Sequence, residues 1–224
     1  MVKKGMILSA HFPCFLPDFY FFYKIAQSEL FLLADHLKFR KQSPLVRTRL
    51  SDSDPVRYLT VPVHHHRQPH PPLREVQLDD SFPWQRQHLR TLRSLFGKFP
   101  YFEYYFPMIE QAYGKNRRFL VDFLRDQLEW QFRLLFPNHP IRVASEEGIH
   151  DKTDLLNWLE SLPEPVFRIY PQEAGYYQAH YSMWPRQLIS LPDHLVFPSG
   201  YVPELSLTVL FFLKGPEVSG YFTR

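Results

Sequence analysis

The stretch GMILSAHFPCFLPDFYFFYKIAQSELFLLADH, residues 5–36, decides the fold class. It opens with a short apolar run, Gly5–Ala10, and closes with another, Leu30–Ala34, and both have the length of buried strands. Between them, Asp18–Gln27 places apolar residues at helical spacing: Phe19, Phe22, Tyr23 and Ala26. A strand, a helix and a second strand in such close succession predict a βαβ unit with two adjacent parallel strands.

Periodicity in the rest of the chain predicts further strands around a helical centre. Alternating or β-branched segments predict strands at Val46–Leu50, Tyr58–Val63, Arg74–Leu78, Ile141–Ala144, Val166–Tyr170 and Leu195–Phe197. Helical spacing predicts helices at Pro83–Phe96, Tyr101–Tyr113, Asn116–Phe136, Thr153–Leu162 and Pro203–Leu213. The fold class we predict is α/β, a mixed sheet with an N-terminal βαβ unit and a helical middle section, in a single domain over residues 1–224.

Composition limits the class of protein. Apolar residues make up 45% and charged residues 22% of the chain, which excludes intrinsic disorder because the apolar surface is sufficient for a core. One cysteine among 224 residues cannot form an internal disulfide, and no apolar run approaches the length of a membrane span. We therefore expect a cytoplasmic protein with no signal peptide and no membrane insertion. A net charge of only +3 argues against nucleic acid as a partner.

Polar side chains stand where the two strands of the βαβ unit end. His11 follows the first strand, and Asp35 and His36 follow the second. Ligands of parallel sheets bind beyond the carboxyl ends of the strands, and imidazole paired with carboxylate suits proton transfer near neutral pH. We predict His11 and Asp35 as catalytic residues and His36 as a substrate-binding residue. The alternative is that His11 bonds a loop carbonyl and Asp35 caps a turn.

A basic pair indicates an anionic substrate. Arg47 and Arg49 are two residues apart, so a strand directs both guanidinium groups to one face, as a clamp for carboxylate or phosphate. Lys38 and Arg40 have the same spacing one segment earlier, and pairing of the two segments would gather four cations. We predict that His11, Asp35 and at least one of the two arginines line one pocket. The alternative is a solvated basic surface.

Other chemistry has weaker signals. The chain has no Gly-rich dinucleotide motif, P-loop or HExxH motif, and the sequence indicates no particular cofactor. Cys14, beside His11, is interpreted as an inert buried thiol, with a nucleophilic role as the alternative.

The same segments, taken in order along the chain, resemble the WbqC-like family of bacterial proteins. The resemblance rests on Ile7–Pro17, Leu32–Phe39, Arg47–Arg49, Tyr58–Val63, Trp84 with His88, Lys98–Phe102, Leu205–Ser206 and Gly215–Glu217. Three positions depart from the family pattern, because Val46, Val209 and Leu213 stand where the family has polar residues.

The resemblance implies a role in the biosynthesis of O-antigen-type surface polysaccharides. It implies a transferase acting on an activated sugar or amino sugar, such as a nucleotide-linked sugar, with transfer of an amino acid or amino group. Two alternatives remain: a nucleotide-dependent activating enzyme, and a non-catalytic subunit that binds a nucleotide or sugar.

The histidine-rich segment His64–His70 should be an exposed loop that holds no metal, because the spacing of its histidines does not match that of structural zinc sites. Elemental analysis of the purified protein should show no stoichiometric metal. A stoichiometric metal that a His64→Ala/His66→Ala variant loses would contradict this prediction.

Overall fold

The architecture is that of a computed structural model, which describes residues 5–64, 70–174 and 183–222. The strands within these ranges are β1 (Ile7–His11), β2 (Leu30–Leu33), β3 (Arg47–Ser51), β4 (Arg57–Thr60), β5 (Ile141–Val143), β6 (Val166–Ile169) and β7 (Arg186–Leu188). The α-helices are α1 (Phe19–Ala26), α2 (Trp84–Phe96), α3 (Phe102–Tyr113), α4 (Leu120–Leu135), α5 (Lys152–Glu160) and α6 (Leu207–Lys214). Short 3₁₀ helices cover Leu73–Glu75, Pro171–Glu173 and Gly215–Phe222.

The predicted βαβ unit is confirmed, and so is the α/β fold class. β1 and β2 are adjacent and parallel, with Leu8 opposite Leu30 and His11 opposite Leu33. They belong to a five-stranded parallel sheet in the order β5-β2-β1-β6-β7. A separate two-stranded ribbon, β3-β4, is antiparallel.

Both faces of the parallel sheet are covered, because successive side chains on a strand point to opposite faces. Leu30 and Leu32 of β2 pack in one cluster with Leu155 and Leu159 of α5. Phe31 and Leu33 point the other way, into the larger core that α1 shares with α2, α3, α4 and α6. This double burial explains why β2 is a continuous apolar run rather than an alternating one.

The helical middle section forms an aromatic core, and a histidine is buried inside it. His88 of α2 lies against Trp84 and Phe15, with ring centroids 5.1 and 5.8 Å away. Its Nδ1 is 3.1 Å from the Tyr113 hydroxyl. Burial lowers the pKa of His88 to about 4, so the ring is neutral at pH 7. None of the helices in the described ranges combines the length and the apolar character that a bilayer crossing requires.

Two of the element predictions are wrong, and one strand was missed. Arg74–Leu78 is not a strand, because Pro72 leads the chain into the 3₁₀ turn Leu73–Glu75. Leu195–Phe197 is not a strand either: it follows a turn in which the Leu195 amide donates to the Pro192 carbonyl. The missed strand is β7, an exposed three-residue strand that pairs with β6 at the edge of the sheet and shows no apolar pattern.

Stability should fall as the pH drops from 6.5 towards 4. In that window unfolded His88 takes up a proton while the folded ring, with its pKa of about 4, stays neutral, so acid favours unfolding. Urea unfolding at pH 7 and pH 4.5 should show that His88→Gln removes about 2 kcal/mol of this pH-dependent loss. The exposed His194, changed to Gln, should leave the loss unchanged. An identical pH dependence in wild type and His88→Gln would contradict the assignment.

Candidate functional site at the carboxyl ends of β1 and β6

The order in which the chain adds strands to the parallel sheet reverses between β1 and β6. From β1 the chain passes through α1 to β2, which lies towards one edge of the sheet. From β6 it passes to β7, which forms the opposite edge. The carboxyl ends of strands at such a point are where α/β proteins bind their ligands, and we call this region of the molecule the crevice. The sequence alone placed the site between β1 and β2, since it did not show that β6 is the other neighbour of β1.

A buried ion pair lies at the end of β1 and the turn after β6. The side chain of Lys24 in α1 is only 2% exposed, and its Nζ donates to the Ala10 carbonyl at 2.9 Å and to Glu173 Oε1 at 2.6 Å. Glu173 Oε2 accepts from the Tyr170 amide at 2.7 Å. Burial lowers the pKa of Lys24, and Glu173 opposes that shift. The ammonium thus joins α1, the end of β1 and the turn after β6.

His11 lies beside this pair as a neutral imidazole. Its Nδ1 is 2.9 Å from the Phe12 carbonyl oxygen, so a proton on Nδ1 donates to that oxygen and Nε2 keeps the lone pair. Burial, and then the charge of Lys24, lower the pKa of His11 to about 4. At pH 7 the ring can accept a hydrogen bond through Nε2 but carries no charge.

Asp18 is the carboxyl group poised to exchange a proton near neutral pH. It caps the N-terminus of α1, where it accepts from the Phe21 amide at 3.1 Å. Burial, together with the nearby charge of Glu204, raises the pKa of Asp18 to about 6. A pKa close to the working pH is what general acid–base catalysis needs. Sequence reasoning missed Asp18 as a site residue, although an Asp directly before a helical pattern marks the helix start at this edge.

Cys14 lies within the same cluster but is not activated. Its Sγ is 3.5 Å from His11 Nδ1 and 3.6 Å from the Phe12 carbonyl oxygen. Burial raises the pKa of the thiol well above its ordinary value, with the charge of Asp18 adding to the effect. The interpretation as an inert buried thiol therefore fits better than the nucleophilic one.

Asp35 and His36 lie at the ends of β2 and β5, one strand away from the crevice. Asp35 is buried, and its two oxygens accept from the Ser145 amide at 2.9 Å and the Ser145 hydroxyl at 2.6 Å. His36 is half-buried, with its Nδ1 unpartnered, and burial lowers its pKa while Asp35 and Asp151 oppose the shift. Asp35 thus clamps the chain after β5 to the end of β2.

The two arginines occupy the outer face of the β3-β4 ribbon. The Arg47 guanidinium stacks 3.8 Å from the centroid of Tyr58, and Arg49 forms an ion pair with Asp52. The opposite face of the ribbon points inwards, where the Thr48 hydroxyl donates to the Leu16 carbonyl at 2.8 Å.

Within the described ranges, none of these contacts joins His11 to Asp35 or to an arginine, so the common pocket stays a prediction. Nor do the two basic segments pair: Lys38 forms a bridge with Pro72, whereas Arg47 pairs with Thr60.

Of the histidine-rich segment, His64 and His70 are exposed, while His65 and His66 lie outside the described residues.

A comparison with protein-family models assigns the chain. The model of the WbqC-like protein family matches residues 13–179, about three quarters of the sequence. The chain belongs to the WbqC-like family. Searches of the curated proteins and of the solved structures found no match. In this WbqC-like chain the matched range contains Asp18 and the ion pair of Lys24 and Glu173.

The three positions expected to depart from the family pattern lie in or against the core, and two of them lie outside residues 13–179. Val46 and Val209 are buried in the main hydrophobic core, and Leu213 packs against it. Apolar side chains at these positions contribute to packing, and a polar group there would need a hydrogen-bond partner inside the core.

Breaking the Lys24–Glu173 pair from one side should be costly. Glu173→Gln leaves the buried ammonium without its counter-charge, and we expect the free energy of unfolding to fall by about 3 kcal/mol. Adding Lys24→Met should recover most of that loss, because the buried charge is then gone. Urea unfolding of the wild type, both single variants and the double variant measures this coupling.

The exposed pair of Lys214 and Glu217 supplies the control. Glu217→Gln should change stability by less than about 1 kcal/mol, since solvent screens such pairs. Additive effects of Lys24→Met and Glu173→Gln would contradict the buried-pair account.

Proposed function

We propose that the chain is a transferase that acts on an activated sugar or amino sugar in the biosynthesis of O-antigen-type surface polysaccharides. The reaction would take place in the crevice at the carboxyl ends of β1 and β6. The observation that carries the proposal is the set of polar groups there: a carboxyl with a pKa of about 6, a neutral imidazole and a buried ion pair. Membership in the WbqC-like family supports the substrate class.

Asp18 serves in this proposal as the general base. At pH 7 it is mostly ionised, because its pKa is about 6, and it can take the proton from an attacking hydroxyl or amine. The nucleophile then bonds to the activated carbon, and the leaving group departs with the electron pair of the broken bond. His11 positions the nucleophile through Nε2, and the Lys24–Glu173 pair fixes the crevice around it. Asp35, held by Ser145, supports the edge from the neighbouring strand.

One observation favours a second candidate, a subunit that binds a nucleotide or sugar without turnover. Burial makes His11 a weak base and Cys14 a weak nucleophile, so two of the reactive groups in the crevice are held in unreactive forms. The two candidates differ in whether a bound activated sugar is consumed.

Binding and turnover can be measured separately. Thermal melting with UDP- and dTDP-linked sugars should find a donor that stabilises the protein, by about 2.7 kcal/mol at a hundredfold excess over Kd. Asp18→Asn should keep this stabilisation, since Asn also caps helices, but lower the release of free nucleotide at least about a hundredfold. In the wild type, kcat/KM should rise with pH through about 6 as Asp18 loses its proton.

The control is Asp193→Asn, a change at an exposed aspartate that should leave both quantities unchanged. Stabilisation without any nucleotide release in the wild type would establish the binding subunit instead. Full turnover by Asp18→Asn would contradict the catalytic role of that residue.

A further inference from the structure

Positive charge is concentrated in one part of the chain. Residues 36–74 contain eight basic and two acidic residues, a net charge of +6, whereas the rest of the chain, with 18 basic and 21 acidic residues, has −3. The modest total of +3 therefore conceals a strong asymmetry. Six of the eight basic residues are exposed within the described ranges: Lys38, Arg40, Lys41, Arg47, Arg57 and Arg74.

Two exposed apolar side chains stand among these basic residues along the chain, one directly before β4 and one within it. Val56 and Tyr58 are 40% and 44% exposed, and they flank Arg57 in sequence. Arg47 lies across the Tyr58 ring, and the turn that leads from Arg40 into β3 is tied to the strand by the Arg47 amide, which donates to Ser43. We call the exposed residues Arg40, Arg47, Val56, Arg57 and Tyr58 of this segment the basic surface.

Within the described ranges, ion pairing leaves much of this charge uncompensated. Asp52 forms an ion pair with Arg49, and Asp54 is the only other acidic residue in residues 36–74. Arg40 and Arg57 have no acidic partner among the described residues. Exposed like charges of this density gain most when an anionic surface approaches them.

We infer that the basic surface docks on a membrane that contains anionic phospholipids. Basic side chains gain electrostatic energy next to anionic headgroups, and an aromatic ring with an aliphatic neighbour fits the boundary between headgroups and acyl chains. The ribbon lies on the bilayer without crossing it. The contact is independent of the chemistry proposed for the crevice.

The composition of the surface favours a bilayer over nucleic acid. Single-stranded nucleic acid is bound by open aromatic faces on which bases stack, but Arg47 already covers a face of Tyr58. Val56 offers apolar area that phosphates and sugars do not use, whereas a lipid interface does.

Sedimentation with lipid vesicles tests the inference. The wild type should bind vesicles of phosphatidylcholine mixed with phosphatidylglycerol, bind pure phosphatidylcholine vesicles much more weakly, and dissociate as salt is raised. Arg40→Ala/Arg57→Ala should lower the partition coefficient at least about tenfold. Val56→Ser should lower it severalfold without changing its salt dependence.

The matched control is Arg86→Ala/Arg90→Ala, which removes the same charge from an exposed face of α2. This control should bind vesicles like the wild type, and circular dichroism should show all variants folded. Equal losses in the two double variants, or equal binding to neutral and anionic vesicles, would overturn the inference. Binding to duplex DNA that is tighter than vesicle binding, and that Arg40→Ala/Arg57→Ala abolishes, would do so in favour of nucleic acid.

Discussion

The buried ammonium of Lys24 is the constraint on which the crevice depends. A charged side chain that is 2% exposed needs oxygen atoms as hydrogen-bond partners. Lys24 has them in the Ala10 carbonyl, near the end of β1, and in Glu173, in the turn that follows β6. These contacts tie the helix α1 to β1 and β6, the two strands between which the strand order reverses. Because Glu173 also accepts from the Tyr170 amide, the ion pair fixes the course of the backbone as well as the charge.

Burial also sets the protonation states of the groups near the ion pair, and it reverses the usual order of their pKa values. His11, the usual candidate for proton transfer at pH 7, is held neutral with a pKa of about 4. Asp18, which would ordinarily be a weak base, has a pKa of about 6. Desolvation disfavours the charged form of each group, so it lowers the pKa of an imidazole and raises that of a carboxyl. The carboxyl is therefore the better general base of the two.

The sequence pattern predicted the βαβ unit and the helical centre. It could do so because β2 is an unbroken apolar run and each helix shows helical spacing of its apolar residues. It did not predict β7, a three-residue strand whose side chains are all exposed, nor that β6 pairs with β1, which is a contact over more than 150 residues. This second gap hid the boundary between β1 and β6, where the proposed site lies. The sequence pointed to His11 because that residue stands at the end of a strand. Glu173 could not be predicted, because its partner Lys24 is distant in sequence and has the pattern of an ordinary helix lysine. Asp35 and His36 lie after β2, as predicted, and their role in a site stays a prediction.

The central claim is that burial beside the ammonium of Lys24 keeps His11 neutral at the edge of the sheet. A pH titration of the histidine side-chain nitrogens by NMR measures this directly. The account predicts that the His11 resonances, assigned with a His11→Gln variant, keep the pattern of a neutral ring protonated at Nδ1 from pH 7 down to pH 5 and titrate near pH 4. A titration midpoint near the ordinary value of 6.5 would contradict it.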